Sequence, residues 1–267
     1  MTSSAEQAVL VEQRDNVLIV TINRPEARNA INAAVHAGLG EALERAEHDP
    51  AIRVVILTGA GDQAFCAGAD LKALARGERI EPEDAIQRSW GFAGMVRHPI
   101  SKPIIAAVNG FALGGGTELT LCSDLAVAAD HAQFGLPEVK RGIMAAAGGA
   151  FRIARQLPPK IAMEYLLTGE PFTAQRALEL GFVNRVVPLD ELMDTALDLA
   201  RRIAVNAPLS VQASKKIALG IADGRIASED AFWESNMREG TVVMRSEDAR
   251  EGPRAFAEKR APVWQAR

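Results

Sequence analysis

Residues 102–130 read KPIIAAVNGFALGGGTELTLCSDLAVAAD. This stretch contains two apolar runs, IIAAV and LAVAA, of the kind that buried strands show. Between them, three glycines lead into a segment that is predicted to be helical. A further run of the same kind, RVVILTG, lies upstream and ends with Gly59. Because such strand runs alternate with helical segments, the pattern predicts a layered α/β fold.

The N-terminal side of the chain adds a hairpin and a helix to this pattern. Residues 8–23 hold two β-rich runs, AVLVEQ and VLIVTIN, and the polar turn RDN between them predicts a hairpin. Residues 32–49 predict an amphipathic helix that Pro50 ends. The apolar face of this helix consists of Val35, Leu39, Leu43 and Ala46.

The C-terminal side is mostly helical after about residue 168. FVNRVV is the remaining strand signal, and helices are predicted over 173–180, 191–206, 210–219, 228–237 and 246–260. We therefore expect an α/β core over residues 1–200 and a helical C-terminal region over residues 201–267.

Composition and charge exclude several classes of protein. The 267 residues fit one large domain or a domain with an appendage, and 48% apolar with 24% charged residues is ordinary for a folded protein. A net charge of −4 argues against a nucleic-acid binder. No secretion signal and no membrane-spanning run are visible. Cys66 and Cys122 lie far apart without a metal or disulfide pattern, which predicts free thiols in the cytoplasm.

Residues 59–64, GAGDQA, match a dinucleotide-binding fingerprint that follows a predicted strand. Such a site requires a helix to begin at once. Another small-residue loop follows instead, so the pattern argues against a nucleotide site.

Two glycine-bearing loops, FCAGADL at 65–71 and GFALGGGTEL at 110–119, lie between predicted strands and helices. The first turn of a helix has N–H groups without intrahelical partners, and small residues let an oxyanion come within reach of them. The alternative is a tight turn with close packing of strand on helix.

Two glutamates favour the chemical interpretation of these loops. Glu118 lies two positions after the last of the three glycines and is followed by Leu119, Leu121 and Cys122, so it is predicted to be buried. A buried acid needs a hydrogen-bonding or charged partner, or a chemical role. Glu138 follows twenty positions later. Both could be surface acids, but two carboxyl groups near an oxyanion site would form an acid/base pair for chemistry beside a carbonyl.

The chain resembles the enoyl-CoA hydratase/isomerase, or crotonase, superfamily over nearly its whole length. The resemblance is carried by VLIVTINRPEARNAIN, AFCAGADLKAL, KPIIAAVNGFALGGGTELTLCSDLAVAAD, FGLPEVKRGI, NRVV and AFAEKRAPVW, in the family's order. The closing run SEDAREGPRAFAEKRAPVW is most similar to the branch that includes crotonobetainyl-CoA hydratase and several enoyl-CoA hydratases. The resemblance implies a repeated ββα superhelix and C-terminal helices that build trimers, which often pair to hexamers.

The resemblance also implies the site residues. The amides of Ala69 and Gly115 would form the oxyanion hole for the thioester oxygen, and Glu118 and Glu138 would be the hydratase carboxylates. The implied substrate-binding positions are Ala27, Arg28, Ala67, Asp70, Lys72 and Gly114, together with Phe256 and Lys259, which match positions that reach a neighbouring subunit's CoA nucleotide. No metal or separate cofactor is implied, because coenzyme A is part of the substrate.

The expected function is therefore hydration of a 2-enoyl-CoA by an enoyl-CoA hydratase. The alternatives are a crotonobetainyl-CoA hydratase, an enoyl-CoA isomerase, and an acyl-CoA-binding paralogue without turnover. The chain departs from the family in the loop at 142–149, where Ala145, Ala146 and Ala147 replace a proline and its neighbours, and this puts the acyl specificity in doubt. One Tyr and three Trp favour an ordinary acyl chain over a trimethylammonium group.

Overall fold

A computed structural model describes residues 7–267, and of residues 74 and 75 it describes the backbone only. The strands are β1 (Val9–Arg14), β2 (Val17–Ile22), β3 (Val54–Gly59), β4 (Ala64–Cys66), β5 (Ile104–Val108), β6 (Phe111–Leu113), β7 (Leu125–Ala129), β8 (Gln133–Gly135), β9 (Phe172–Thr173), β10 (Arg185–Val187), β11 (Ile221–Ala222) and β12 (Arg225–Ile226). The α-helices are α1 (Ala33–His48), α2 (Leu71–Ala75), α3 (Ala85–Ser89), α4 (Gly115–Cys122), α5 (Gly149–Gln156), α6 (Pro159–Thr168), α7 (Ala174–Glu179), α8 (Leu192–Ala204), α9 (Pro208–Leu219), α10 (Asp230–Arg245) and α11 (Asp248–Ala257).

Two sheets form the core. The larger has the order β1-β2-β3-β5-β7-β10, and the smaller has the order β4-β6-β8-β9. The predicted hairpin is confirmed, because β1 and β2 pair antiparallel, whereas the other neighbours in the larger sheet are parallel. Parallel strands are usually covered on both faces, which explains why β3 and β5 are buried along their whole length.

Three successive ββα units build these sheets: β3-β4-α2, β5-β6-α4 and β7-β8-α5. Each unit gives its first strand to the larger sheet and its second strand to the smaller one. This confirms the repeated ββα fold that the resemblance implied. The fingerprint-like residues 59–64 lead into strand β4 and not into the helix that a Rossmann dinucleotide site requires.

Alternate residues of the larger sheet face two different hydrophobic clusters. Leu18 and Val20 of β2 join the main core, whereas Val17 and Ile19 face α8. The helix α1 closes the main core, and its predicted apolar residues Val35, Leu39, Leu43 and Ala46 are all buried. Asn32 begins this helix by accepting a hydrogen bond from the Val35 N–H at 3.0 Å.

The C-terminal helices are confirmed, although the boundary expected at residue 200 falls within α8. Leu192, Ala196, Leu197 and Ala200 of α8 pack against the larger sheet, so the layered core continues to the end of this helix. The later helices α9, α10 and α11 carry few buried residues. Among residues 7–267, no helix is both long enough and apolar enough to cross a bilayer.

Candidate active site

The loop before α2 leaves the Ala69 N–H without an acceptor. The Ile31 N–H donates to the Gly68 carbonyl at 2.8 Å, and the Asp70 N–H donates to the Ile31 carbonyl at 2.9 Å. These two bonds form a parallel bridge between residues 31 and 69, so the Ala69 N–H points away from residue 31. In the described chain this amide donates no hydrogen bond.

Gly115 is the first residue of α4, and its N–H has no acceptor within the helix. Nor does this amide donate to any other group among residues 7–267. The loop carrying Gly68 lies directly against it, because a Cβ placed on Gly68 would lie 3.2 Å from the Gly115 nitrogen. The amides of Ala69 and Gly115 therefore belong to two loops in contact, as an oxyanion hole requires.

Glu118 lies in the first turn of α4 and is 3% exposed. Its Oε1 accepts a hydrogen bond from the Gly149 N–H at 2.8 Å, at the N-terminus of α5. Burial raises the pKa of Glu118 well above its usual range, and the charge of Glu138 raises it further. The Gly149 and Ala147 amides and the Arg152 guanidinium act in the opposite direction.

Glu138 lies in a 3₁₀ turn over Pro137–Arg141 and reaches the start of α4. A Cβ on Gly114 would lie 3.1 Å from its Oε1, so glycine lets this carboxyl group approach. Its Oε2 is buried and has no hydrogen-bond partner in the described part of the chain. Burial raises the pKa of Glu138 as well. The structure thus brings together two carboxyl groups that are costly to ionise at the same time.

An open cavity of about 860 Å³ lies beside the Ala69 amide. The Phe92 ring forms part of its wall and lies behind Gly115, where a Cβ would be 2.5 Å from the ring. The rest of the wall combines apolar groups with charges of both signs, including Met144, Trp233, Glu81, Arg79 and Arg97. Within residues 7–267, no three His, Cys, Asp or Glu side chains group together as a metal site would require.

The residues expected along a CoA groove fall into two groups. Ala67 joins the segment containing Ala27 and Arg28, since the Ala67 N–H donates to the Arg28 carbonyl at 3.1 Å. Arg28 and Lys72 are exposed beside this segment. Phe256 lies elsewhere, under the Arg141 guanidinium at 4.0 Å. Lys259 is exposed just beyond α11.

The side chain of Asp70 has a role within the fold. Its carboxylate pairs with the Arg24 guanidinium at 2.9 Å and accepts a hydrogen bond from the Ala73 N–H at 3.0 Å. It therefore caps α2 and holds the loop that presents the Ala69 amide.

The loop at residues 142–149 supports Glu118 more directly than Glu138. Its Ala147 and Gly149 amides face the Glu118 carboxyl group, while Ala146 and Ala147 line the cavity. Two of the three alanines that depart from the family pattern, Ala146 and Ala147, thus line the cavity, and Ala147 also faces the first carboxylate of the pair.

Three residues at this site carried no sequence signal that singled them out. Phe92, Arg152 and Trp233 lie far from the glycine loops in sequence, and the structure brings them to the site from separate elements. The Gly148–Gly149 pair before Arg152 was the one pattern that could have directed attention to this region.

Comparison with known proteins identifies the family to which the chain belongs. A family model described as enoyl-CoA hydratase/isomerase matches residues 12–267. A carnitinyl-CoA dehydratase of Proteus mirabilis (strain HI4320) is 45% identical, with 98% of this chain and 99% of that protein covered. A carnitinyl-CoA hydratase from Mycobacterium avium, known from its crystal structure, is 58% identical in sequence with a TM-score of 0.95. The alignment covers 98% of this chain and 100% of that chain. An enoyl-CoA hydratase from Mycobacterium tuberculosis H37Rv is 46% identical with a TM-score of 0.75, again covering 98% and 100%. The chain belongs to the enoyl-CoA hydratase/isomerase family.

Proposed function

We propose that this protein reversibly adds water to the C2=C3 double bond of a 2-enoyl-CoA thioester, giving a 3-hydroxyacyl-CoA. The observation that carries the proposal is the buried Glu118 together with Glu138, whose Oε2 is buried without a partner among the described residues, beside two loops with unused amide donors. Carboxyl groups with raised pKa values exchange protons readily near neutral pH. Two such groups suit a reaction that takes a proton from water and gives one to carbon.

In the proposed reaction, the Ala69 and Gly115 amides donate to the thioester oxygen as negative charge develops on it. The oxygen of water forms a bond to C3, and Glu118 accepts a proton from this water. Glu138 holds the same water and supplies the proton that forms the new C2–H bond. Because the two carboxyl groups interact strongly, they titrate in two steps that belong to the pair and not to either residue alone.

We further propose carnitinyl-CoA and its dehydration product crotonobetainyl-CoA as the preferred substrate pair. The low aromatic content of the chain pointed to an ordinary acyl group, whereas two similar proteins are named for carnitinyl-CoA. The cavity wall offers Trp233 and Glu81 to a quaternary ammonium group, but it also carries Arg79 and Arg97. The substrate proposal therefore rests on the named relatives and not on the charge of the cavity.

The test follows the loss of the conjugated enoyl-thioester absorbance when protein is added to crotonyl-CoA or crotonobetainyl-CoA. We expect turnover of both, with kcat/KM higher for crotonobetainyl-CoA by about tenfold or more, as a few well-placed contacts achieve. A higher value for crotonyl-CoA would favour the enoyl-CoA hydratase alternative. Tight binding of butyryl-CoA without any loss of absorbance would favour the binding paralogue.

We also propose a homotrimer, or a hexamer of paired trimers, in which Phe256 and Lys259 contact the CoA nucleotide. Exposed apolar side chains on the C-terminal helices support this, among them Leu209, Ile217 and Val242. The proposed hydration needs no redox or metal cofactor, because CoA arrives with the substrate and the protein supplies the acids and donors. The cytoplasmic location stays a prediction.

A further inference from the structure

Arg152 of α5 is a buried cation with an unusual set of partners. The residue is 5% exposed, and its Nε and Nη2 donate to the Glu229 carboxylate at 3.0 and 2.6 Å. Its Nη2 also donates to the Val96 carbonyl at 2.6 Å. Glu229 is itself buried and accepts a further hydrogen bond from the Trp233 indole at 3.2 Å. A buried ion pair of this kind is costly to desolvate, and removing one partner destabilises the protein because the other charge is left buried and unpaired.

The partners of Arg152 link it to three parts of the candidate site. Arg152 lies one turn after Gly149, whose amide holds Glu118. Val96 follows the turn containing Phe92, whose ring lies behind Gly115. Trp233 lines the cavity beside Ala69. One guanidinium therefore connects the element that holds an acid, the segment behind an oxyanion donor, and the cavity wall.

The charge of Arg152 also acts on Glu118. Its positive charge favours the ionised carboxylate, against burial and the charge of Glu138. The other titratable group facing Glu118 is the Cys66 thiol, whose pKa burial raises to about 12, so it stays neutral near pH 7. Glu229 offsets the Arg152 charge from the far side of the guanidinium.

We propose that Arg152 is a positioning residue for the hydration proposed above: held by Glu229 and Val96, it fixes the first turn of α5, and with it the Gly149 amide, against Glu118. This inference rests on the proposed function. It adds a role for a side chain that touches neither the substrate nor the reacting atoms.

The test compares R152M, E229Q and the double variant R152M/E229Q with wild type, using crotonyl-CoA and crotonobetainyl-CoA across pH 5.5–9.5. R155M is the matched control, because Arg155 lies on the same helix and 3.7 Å from the same carboxylate but is half exposed. Thermal melting identifies which variants fold. The double variant removes both charges of the Arg152–Glu229 pair, so neither is left buried without the other, and it is expected to fold even where a single variant does not.

We expect R152M and the double variant to lose about 10²-fold in kcat, as misplacement of a catalytic group does, while KM changes much less. The acid limb of kcat/KM should move to higher pH in R152M, because the positive charge that favours ionised Glu118 is lost. It should move to lower pH in E229Q, because the negative charge that offsets Arg152 is lost. R155M should keep wild-type kinetics.

Two results would overturn the inference while leaving the proposed function intact. The first is a folded double variant with wild-type kcat. The second is a pair of single variants whose acid limbs stay in place or move in the same direction, as expected of a purely structural ion pair. If the wild-type protein hydrates neither thioester, the proposed function and this inference fail together.

Discussion

At the scale of single residues, each carboxyl group of the pair lies against a glycine. A Cβ on Gly149 would lie 2.8 Å from the Glu118 Oε1, and a Cβ on Gly114 would lie 3.1 Å from the Glu138 Oε1. Glycine at these positions leaves room for the Glu118 carboxyl group against the Gly149 N–H and for the Glu138 carboxyl group against the start of α4. The cost is a pair of carboxyl groups with raised pKa values inside the protein.

This cost predicts a pH-dependent gain of stability in Glu118→Gln. The folded-state pKa of Glu118 lies above its ordinary value of 4.5, so the wild type loses relative stability as pH rises through the folded-state value. Gln stays neutral, so the variant does not bear the cost of an ionised side chain inside the fold. At pH 9 its melting temperature should exceed that of wild type by about 2–4 °C for each kcal/mol of that cost. The gain should vanish toward pH 4.5.

Thermal melts at pH 5 and pH 9 measure this difference. Glu164→Gln, at an exposed position of α6, is the control and should match wild type at both pH values. A Glu118→Gln variant that is less stable than wild type at pH 9 would show that the ionised carboxylate stabilises the fold.

Gly115 carries one of the two proposed oxyanion donors, and a side chain at this position is expected to displace that donor. In Gly115→Ala the new methyl group would lie 2.5 Å from the Phe92 ring, so the ring or the loop must move. We expect a loss of about 10²–10³ in kcat, as for removal of one oxyanion donor. Steady-state kinetics of Gly115→Ala and of Gly115→Ala with Phe92→Ala measure it. Partial recovery in the double variant is expected, and full activity in the single variant would argue against the assignment.

Sequence patterns located these residues unequally. Glu118 was predictable because it lies two positions after the three glycines within an apolar segment. Arg152 was not, because its partner Glu229 lies 77 positions away and neither residue belongs to a short motif. The contacts of the Asp70 carboxylate with Arg24 and with the first turn of α2 were likewise not predictable from a short motif. Tertiary ion pairs leave no local pattern to detect.

At the scale of elements, α11 packs directly on the turn that carries Glu138. Gly252 of α11 lies so close to the Arg141 carbonyl that a Cβ there would clash with it, and Gly142 stands in the same relation to the Asp248 carbonyl. These two glycines thus let the backbone of α11 lie directly against the backbone at the end of the turn. Helix α11 therefore supports the turn that carries Glu138.

Gly252→Ala should separate α11 from this turn. We expect a destabilisation of about 1–3 kcal/mol, typical of overpacking, together with a lower kcat. Gly240→Ala in α10 is the matched control for stability, because its new Cβ would meet only the Met144 sulfur at 3.8 Å. The control should be neutral or more stable by about 0.5–1 kcal/mol, since alanine favours helix. Denaturant unfolding compares the two variants, and kinetics compare Gly252→Ala with wild type; equal stability of the two variants, or a wild-type kcat in Gly252→Ala, would refute the supporting role of α11.

Long elements were predictable and short ones were not. The apolar periodicity of α1 and the continuous apolar runs of β3 and β5 gave clear signals, and the structure confirms all three. The two-residue strand β9 and the 3₁₀ turn carrying Glu138 are too short to show a period. Their places depend on contacts with distant segments.

At the scale of the whole molecule, the fold separates a packed interior from a helical surface with exposed apolar groups. Leu209 and Ile217 of α9 are 79% and 83% exposed, whereas the central strands β3 and β5 are buried along their whole length. Such a surface is typical of a protein that associates with copies of itself.

Sedimentation velocity or light scattering should therefore give a mass three or six times the 28.5 kDa of the chain. Leu209→Lys and Ile217→Lys together should weaken the assembly, because charge at an apolar contact is costly to desolvate. A wild-type protein that is monomeric at micromolar concentration would contradict the proposed trimer.

The most direct test of the whole account compares Glu118→Gln and Glu138→Gln with wild type, in the presence of crotonobetainyl-CoA and crotonyl-CoA. The rate of loss of enoyl-thioester absorbance should fall by about 10²–10⁴ in each variant, while butyryl-CoA still binds by calorimetry with near wild-type affinity. Wild-type rates in both variants would contradict the claim that Glu118 and Glu138 move the protons of hydration.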